Sequence, residues 1–502
     1  MMPQPSERPP AADRAADPGM RAKSSKWLLI AVGFAVFLGA LDQTVVVTLL
    51  KPIMDGVDVP VDQFYRAAWI VNGYILGYVV AMPLMGRVAD VYGHGRIFLL
   101  ALAIFLVGSL WVSACQSMNM LVAARAVQAL GGGALVPVSM AIVAEHLPPE
   151  RRALGLGFLG AAAEGGGLLG PLWGGSLVQI LGWRGHFWIN LPLCLPIILI
   201  VLHTYRDKGR SKASVDYLGG LLLAGALTAL AIALTDDPVA ARPIALTTAL
   251  YLLAVVFAAA FIWREFVTDT PMLALSLFRS LAFSAGNLTH LMMGGGLIVA
   301  MVSIPVFTIA IQGGSYFVGG LNLMRLTVML PIGAVLGGFL AGWLGYHRTA
   351  ALGMAISALG FFFMRFWGAD IGDPQYTLNL MLTGLGFGLV IAPISAAVVN
   401  SVAEEQRATA SAVLTVMRLV GMLIGVALLT SRGLGQFYQQ AGAIALDDPR
   451  YKELVKGLEV ETFSDIFTVA AIVCLAAVVP ALLIGRGAVR RFRLTEIWRA
   501  PH

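Results

Sequence analysis

Fourteen long apolar runs divide this chain, at about 27–50, 67–85, 97–115, 120–143, 153–177, 187–203, 216–234, 244–263, 281–311, 321–344, 349–368, 376–402, 408–430 and 463–485. Each is near the ~20 residues a helix needs to cross a bilayer. Membrane barrels are built instead from short alternating segments, which are absent here. With 58% hydrophobic and 12% charged residues and a mean hydropathy of +0.81, the chain is too apolar for a soluble domain of 502 residues. The expectation is an all-α polytopic membrane protein with fourteen spans.

Fourteen crossings put both termini on one side. If that side is the cytoplasm, the inside segments hold 22 Lys and Arg and the outside loops 8, with Arg125, Arg325, Arg365 and Arg418 inside spans. This asymmetry follows the positive-inside rule and orients the chain. The net charge of +6 therefore reports topology and gives no reason to expect a nucleic-acid partner. Cys115, Cys194 and Cys474 all fall in spans, an odd and scattered set that suggests neither a disulfide framework nor a metal site.

Ionisable residues at membrane depth are costly, by roughly 2.5–3.5 kcal/mol on insertion scales, and are functional candidates by default. Glu164 lies near the middle of Leu154–Gly175, LGLGFLGAAAEGGGLLGPLWGG. Gly166, Gly170 and Gly174 recur there every four residues and leave one helix face bare for close approach by a neighbour. Asp42 sits in the first span, in LDQTVV. Arg125 and Gln128 share a face of span 4, and an arginine there must find a carboxylate or line water. Arg418 is central in span 13, the worst place from which to snorkel. His290 precedes Gly294–Gly296, read as an interruption of span 9, and is the weaker candidate because a lone histidine on an apolar helix is more often structural.

The short loop Gly86–Arg96, GRVADVYGHGR, supplies Gly86, Arg87, Asp90, Gly93 and Arg96 as a candidate conformational latch. Asp90 is suited to accept from the positive start of a neighbouring helix. A weak second copy, GWLGYHR, stands at 342–348, an internal duplication of the kind transporters carry. The clustered aromatics of Trp183–Pro192 suit an interfacial belt, and the polar segment 431–462 a short helix or hairpin. Organisation follows: a disordered cytoplasmic tail at 1–26, a six-helix bundle at 27–203, a linker with two further spans at 204–280, a second six-helix bundle at 281–485 and a basic cytoplasmic tail at 486–502.

LDQTVV (Leu41–Val46), GRVADVYGHGR (Gly86–Arg96), RAVQALGGGA (Arg125–Ala134) and GLLGPLWGG (Gly167–Gly175), in this order, resemble the first-span, loop, fourth-span and antiporter motifs of the major facilitator superfamily. With two extra central spans and WRGHFWINLP, the chain is similar to the fourteen-span drug:proton antiporters over 27–485, and to their actinobacterial branch linked to triacylglycerol and drug efflux. The resemblance implies two six-helix bundles rocking around a midplane site, in the inner membrane of a bacterium. It implies coupling roles for Asp42, Glu164 and Arg418, and helix packing by Gly166, Gly167, Gly170, Pro171, Gly174 and Gly175. The driving force would be the proton gradient, with no cofactor and no metal. The cargo would be a lipophilic small molecule or lipid, beside the surrounding membrane lipids, and an extracytoplasmic lipoprotein is compatible as a partner.

Physically, a carboxylate changes its proton affinity with burial and with a nearby guanidinium. Rocking that moved Asp42 or Glu164 relative to Arg418 would couple protons to transport. The chain carries no GxxxxGK[ST] for an ATP-driven pump and no HExxH or nucleophile cluster for an enzyme; the GxGxxG at Gly155–Gly160 lies within a span and follows no strand. Proton-coupled uptake of a small solute and a non-transporting lipid-binding protein remain as alternatives.

Overall fold

In a computed structural model, the described residues run from 18 to 485, omitting 61–63, 148, 206–214, 236–241, 269–270, 274, 404–405 and most of 434–449. The basic Arg206–Lys212 linker, Asp447–Pro449 and both chain ends beyond these limits lie outside the described residues. Everything regular among the described residues is helical, as a bilayer demands when each backbone N–H and C=O must be satisfied within its own segment.

The first half comprises α1 (Pro18–Gly56), α2 (Phe64–Tyr92), α3 (His94–Ala114), α4 (Met118–His146) and α5 (Pro149–Thr204). Next come α6 (Tyr217–Leu234) and α7 (Ile244–Val267). The second half holds α8 (Leu281–Ala310), α9 (Tyr316–Thr327), α10 (Met329–Leu344), α11 (Tyr346–Met364), α12 (Gln375–Asn400), α13 (Arg407–Leu428), α14 (Tyr451–Ala476) and α15 (Val478–Leu482). Within it α8 packs on α13, and α12 on α10 and α11.

Twelve of the helical stretches are long and apolar enough to span a membrane. One of them, Gly155–Thr204, is 50 residues long and is broken at Gly182 (φ 68°, ψ 174°) into two legs. α11 is not among the twelve. Two crossings for α5 and one for α11 make the architecture compatible with fourteen. The two legs of α5 correspond to the runs read at 153–177 and 187–203, and they join without a loop because glycine alone adopts this positive φ freely.

Three sequence expectations are corrected. Gly294–Gly296 does not interrupt its span, since α8 runs unbroken through it. Those glycines admit neighbours instead: a Cβ on Gly296 would meet Cys474 Sγ at 3.0 Å, and Gly294 lies against the Arg418 backbone. Of the aromatics read as an interfacial belt, Trp188 is exposed, but Trp183 and Phe187 are buried. The break at Gly182 starts a new helix whose 183, 186, 187 and 190 positions form one face, turned into the bundle. Finally, residues 451–462 of the polar segment are the start of α14, which begins at Tyr451 and continues into the span.

The duplication is visible in the backbone. Gly93 (φ 102°, ψ 131°) caps α3, and Gly345 (φ 82°, ψ 162°), at the matching place in the second half, caps α11. The end of the molecule carrying these two turns is called the Asp90 face below, and the opposite end the Asp55 face.

Candidate functional site

Two intramembrane ion pairs stand at the centre of the molecule, one within the first half and one between the halves. The first is built from four helices. Asp42 on α1 accepts from Arg125 Nη1 (2.5 Å) and Gln128 Nε2 (3.1 Å) of α4, and its backbone carbonyl accepts from Arg125 Nη2 (3.2 Å). The second leg of α5 adds His186 Nε2 and Asn190 Nδ2, each 3.3 Å from Asp42 Oδ1. Ser109 of α3 closes the ring, accepting from Asn190 (2.9 Å) and Gln128 (3.2 Å) and donating to the Phe187 carbonyl (3.0 Å). The Tyr74 ring lies 4.0 Å from the Arg125 guanidinium carbon, a cation–π contact in a site without water access.

Asp42, Arg125, Gln128 and His186 are all 0% exposed, so the network is internal to the first half. Arg125 Nε and His186 Nδ1 have no hydrogen-bond partner. Sequence reading found Asp42, Arg125 and Gln128 but missed His186, Asn190 and Ser109. The signal was present in the 183/186/187/190 spacing, hidden by the aromatic residues between.

The second pair joins the halves. Arg418 Nη1 of α13 donates to Glu164 Oε1 of α5 across 3.3 Å, near the middle of α13 and of the first leg of α5. Their side chains are 23% and 42% exposed, so this pair is reachable where the first is sealed. Arg418 thus meets Glu164 and not Asp42, whose carboxylate faces α4 and the second leg of α5. The sequence left open whether Arg418 faces Asp42 or Glu164, and in this structure its hydrogen bond goes to Glu164, while Arg125 pairs with Asp42.

Glycine geometry explains how α5 reaches both neighbours. On one face, a Cβ at Gly174 would lie 2.6 Å from Val45 Cγ2, and one at Gly170 would lie 2.9 Å from the Leu41 carbonyl oxygen of α1. Gly166 abuts Phe37 and Leu41, and Gly167 stands 3.9 Å from Thr44 Cγ2 by the same measure. On another face, Gly175 approaches the Tyr316 carbonyl (2.9 Å), and Gly320 of α9 approaches that of Pro171 (2.5 Å). Tyr316 also donates to Asp55 (3.5 Å), and Thr327 to the Leu168 carbonyl (3.5 Å). The halves therefore meet between mid-span and the Asp55 face. Towards the Asp90 face, Gly157 and Gly160 have nothing within 4 Å of a Cβ position. α5 and α9 thus close on each other towards the Asp55 end, and these two glycines of α5 face no neighbour at the other.

Gly86, Arg87, Asp90, Gly93 and Arg96, read from the sequence as a candidate latch, lie at that second end. Asp90 accepts from His94 Nε2 (3.1 Å), and the other ring nitrogen of His94 lies 3.0 Å from Glu145, which also accepts from Tyr205. Gly86 is 3.5 Å, by its Cβ position, from Pro137 of α4. Asp90 thus contacts its own half and not a helix start in the other. Arg87 is exposed, and Arg96 is exposed two residues into α3. His290, buried between α8 and α13, lies with Nδ1 2.8 Å from the Leu414 carbonyl, one turn before Arg418. No group of three or more His, Cys, Asp or Glu suited to a metal occurs among the described residues.

Comparison with known proteins agrees with this architecture. The family model described as Major Facilitator Superfamily matches residues 32–426. A triacylglyceride transporter of Mycolicibacterium smegmatis is 33% identical over 500 residues, covering 93% of this chain and 88% of its own. The triacylglyceride transporter of Mycobacterium tuberculosis strain H37Rv is 35% identical over 480 residues, covering 90% and 92%. Among solved structures, a bacterial homolog of the human lysosomal transporter Spinster, inward-facing and unoccupied, has a TM-score of 0.65 at 15% identity and covers 94% of this chain and 98% of its own.

Proposed function

The chain belongs to the major facilitator superfamily of membrane transporters, and we propose that it is a proton-coupled exporter of lipophilic or amphiphilic molecules, with triacylglycerides at the lipid end of its range. The observation that carries the reading is the Glu164–Arg418 pair: a carboxylate and a guanidinium at mid-span, one on each half, within the apolar runs at 153–177 and 408–430. A contact between two bodies that rock must break or re-form with each cycle. A carboxylate that gains and loses a guanidinium changes its proton affinity between the two states. That difference is what couples a proton gradient to alternating access.

The other residues take supporting roles. Asp42, Arg125 and Gln128 hold α1 and α4 in register inside the first half. The glycine faces of α5 set its approach to α1 and close the Asp55 end against α9. Gly86, Arg87, Asp90, Gly93 and Arg96 act at the Asp90 end, where Asp90 leaves His94 for the second half when that end closes. The lysine and arginine bias supports a cytoplasmic Asp90 face and cytoplasmic termini, and the mycobacterial relatives support a bacterial plasma membrane. The lipid assignment is supported by the relatives named triacylglyceride transporters and by the scarcity of convergent polar groups that a hydrophilic cargo would need.

The test is transport in proteoliposomes with an imposed proton gradient, offering labelled triacylglyceride and a cationic dye in parallel. Movement of either that follows the gradient, and loses that dependence in Glu164→Gln, is the expected result. Full gradient-driven transport by Glu164→Gln refutes the coupling. Inward accumulation of a small polar solute in place of export would favour the uptake reading.

A further inference from the structure

Two buried acids meet outside the path between the halves, where the α6–α7 hairpin joins the segment that leads to α8. Asp216 caps α6, accepting from the Gly219 N–H at 3.0 Å, and its two oxygens lie 3.3 and 3.2 Å from Arg264 Nε of α7. Glu265, the next residue of α7, accepts from the Leu273 N–H of the joining segment at 2.8 Å through Oε2. The Asp216 side chain is 1% exposed and Glu265 5%. Glu265 Oε1, sealed from solvent, has no hydrogen-bond partner among the described residues. A Cβ on Gly219 would lie 2.8 Å from Asp216 Oδ2 and 3.3 Å from Glu265 Oε1, so the unpartnered oxygen stands beside the Asp216 carboxylate over the first turn of α6. Tyr217 is hydrogen-bonded to Tyr92 at the end of α2, which sets the two acids at the Asp90 face.

Ionised carboxylates only accept hydrogen bonds, so two side by side leave Oε1 without a donor. Among the described residues, the charged groups acting on Glu265 are Asp216 and Arg264. With both acids ionised, the pocket would hold a net negative charge out of water, a costly arrangement. We propose that Asp216 and Glu265 form a proton-binding site, in which one proton is held on Glu265 Oε1 and donated to Asp216 Oδ2. That proton supplies the missing donor and cancels the excess charge together. A bridging water would supply the donor and leave the charge. A metal ion would have to gather further oxygen ligands beside a guanidinium. Because Glu265 Oε2 holds Leu273, the bound proton fastens the hairpin to the segment from which α8 starts. This proton is separate from any carried at Glu164, which lies mid-span between the halves.

The experiment compares the full chain with Glu265→Gln, whose carboxamide keeps the shape and the donor of a protonated carboxyl. Infrared spectra at neutral pH are expected to show a protonated-carboxyl C=O band that Glu265→Gln loses and Glu164→Gln keeps. Unfolding midpoints in one detergent, followed across neutral pH, give the second readout. An unfolded glutamate releases its proton near pH ~4.3, so above that value the folded state holds one proton more. The folding equilibrium of the wild type is then expected to weaken, relative to Glu265→Gln, by about tenfold per pH unit, read as a midpoint that falls more steeply as pH rises. Loss of carboxylate bands in place of the C=O band, parallel pH profiles, or a Glu265→Gln chain that does not fold each overturns the proposal. So does a wild-type midpoint raised by sodium or potassium over choline and not raised in Glu265→Gln, which would assign the site to a metal ion.

Discussion

Substituting alanine along a single helix, α5, tests whether its glycines are there for contact or for flexibility. At Gly170 a Cβ would lie 2.9 Å from the Leu41 carbonyl oxygen and 3.0 Å from the Val45 nitrogen, both backbone atoms of α1. The nearest atom, the Thr44 hydroxyl oxygen, would have to rotate away, and for the backbone atoms ordinary contact begins near 3.4 Å, so α1 and α5 must separate by at least about 0.5 Å, the difference between 3.4 and 2.9. Two packed helices cannot rotate a backbone carbonyl out of the way, and overpacking of this kind costs about 1–3 kcal/mol. At Gly160, ten residues earlier, the added methyl meets nothing within 4 Å. Alanine there removes backbone freedom from the unfolded chain and is expected to stabilise by up to about 1 kcal/mol. The same substitution on the same helix thus has opposite signs at two positions. The measurement is the unfolding midpoint of each purified variant in one detergent. A Gly170→Ala midpoint at or above that of Gly160→Ala would refute the contact argument.

Other outcomes follow from the same geometry. Removing Asp42 alone leaves Arg125 charged and sealed, at about 3–5 kcal/mol, so Asp42→Leu with Arg125→Met is expected to unfold at a higher temperature than Asp42→Leu by itself. Exchanging the charges across the halves, Glu164→Arg with Arg418→Glu, is expected to recover part of the transport that either single change removes, read in proteoliposomes. Between α11 and α12, the Thr377 hydroxyl and then Arg325 hold the Asp373 carboxyl below its ordinary value of 3.8. That stabilisation is fully present above pH ~3.8 and disappears as pH falls through the lower folded value, and because the pair is exposed it is worth under about 1 kcal/mol. Asp373→Asn should therefore flatten a small acid-side slope in unfolding midpoint and leave the midpoint at neutral pH nearly unchanged.

Spans were legible because the bilayer imposes one length and one polarity on every crossing. Charged residues within spans were legible for the related reason that each stands out against apolar neighbours. Their pairing was not. Asp42 and Arg125 are 83 residues apart and Glu164 and Arg418 are 254 apart, and nothing in a helical period tells which of two acids an arginine will face. His186 was hidden for a different reason. Aromatic residues around it suggested an interface, whereas the turn at Gly182 redirects the helix and buries the His186 face. The Gly294–Gly296 run misled in the opposite sense, because three adjacent glycines weaken a helix in water but permit the close α8–α13 approach that holds it together in lipid.

Placing one ion pair inside a half and the other between halves separates two properties that the sequence left merged. When rigid halves rock, distances within each half are preserved. Asp42, with Arg125, Gln128, His186 and Asn190 all on helices of its own half, keeps its surroundings through the cycle. Glu164 does not, because its guanidinium belongs to α13. On the proposed coupling, the contact that changes with conformation is the one at Glu164, and the role proposed for Asp42 is to maintain the shape of the body that carries it. The two acids should then fail differently. Glu164→Gln should fold with a near-native unfolding midpoint and still move substrate down its own gradient, but without response to pH. Asp42→Asn should lower the midpoint and lose transport at every pH together. An Asp42→Asn protein with a native midpoint and selectively lost proton dependence would reverse the assignment, and would require α1 or the second leg of α5 to move within the first half during the cycle.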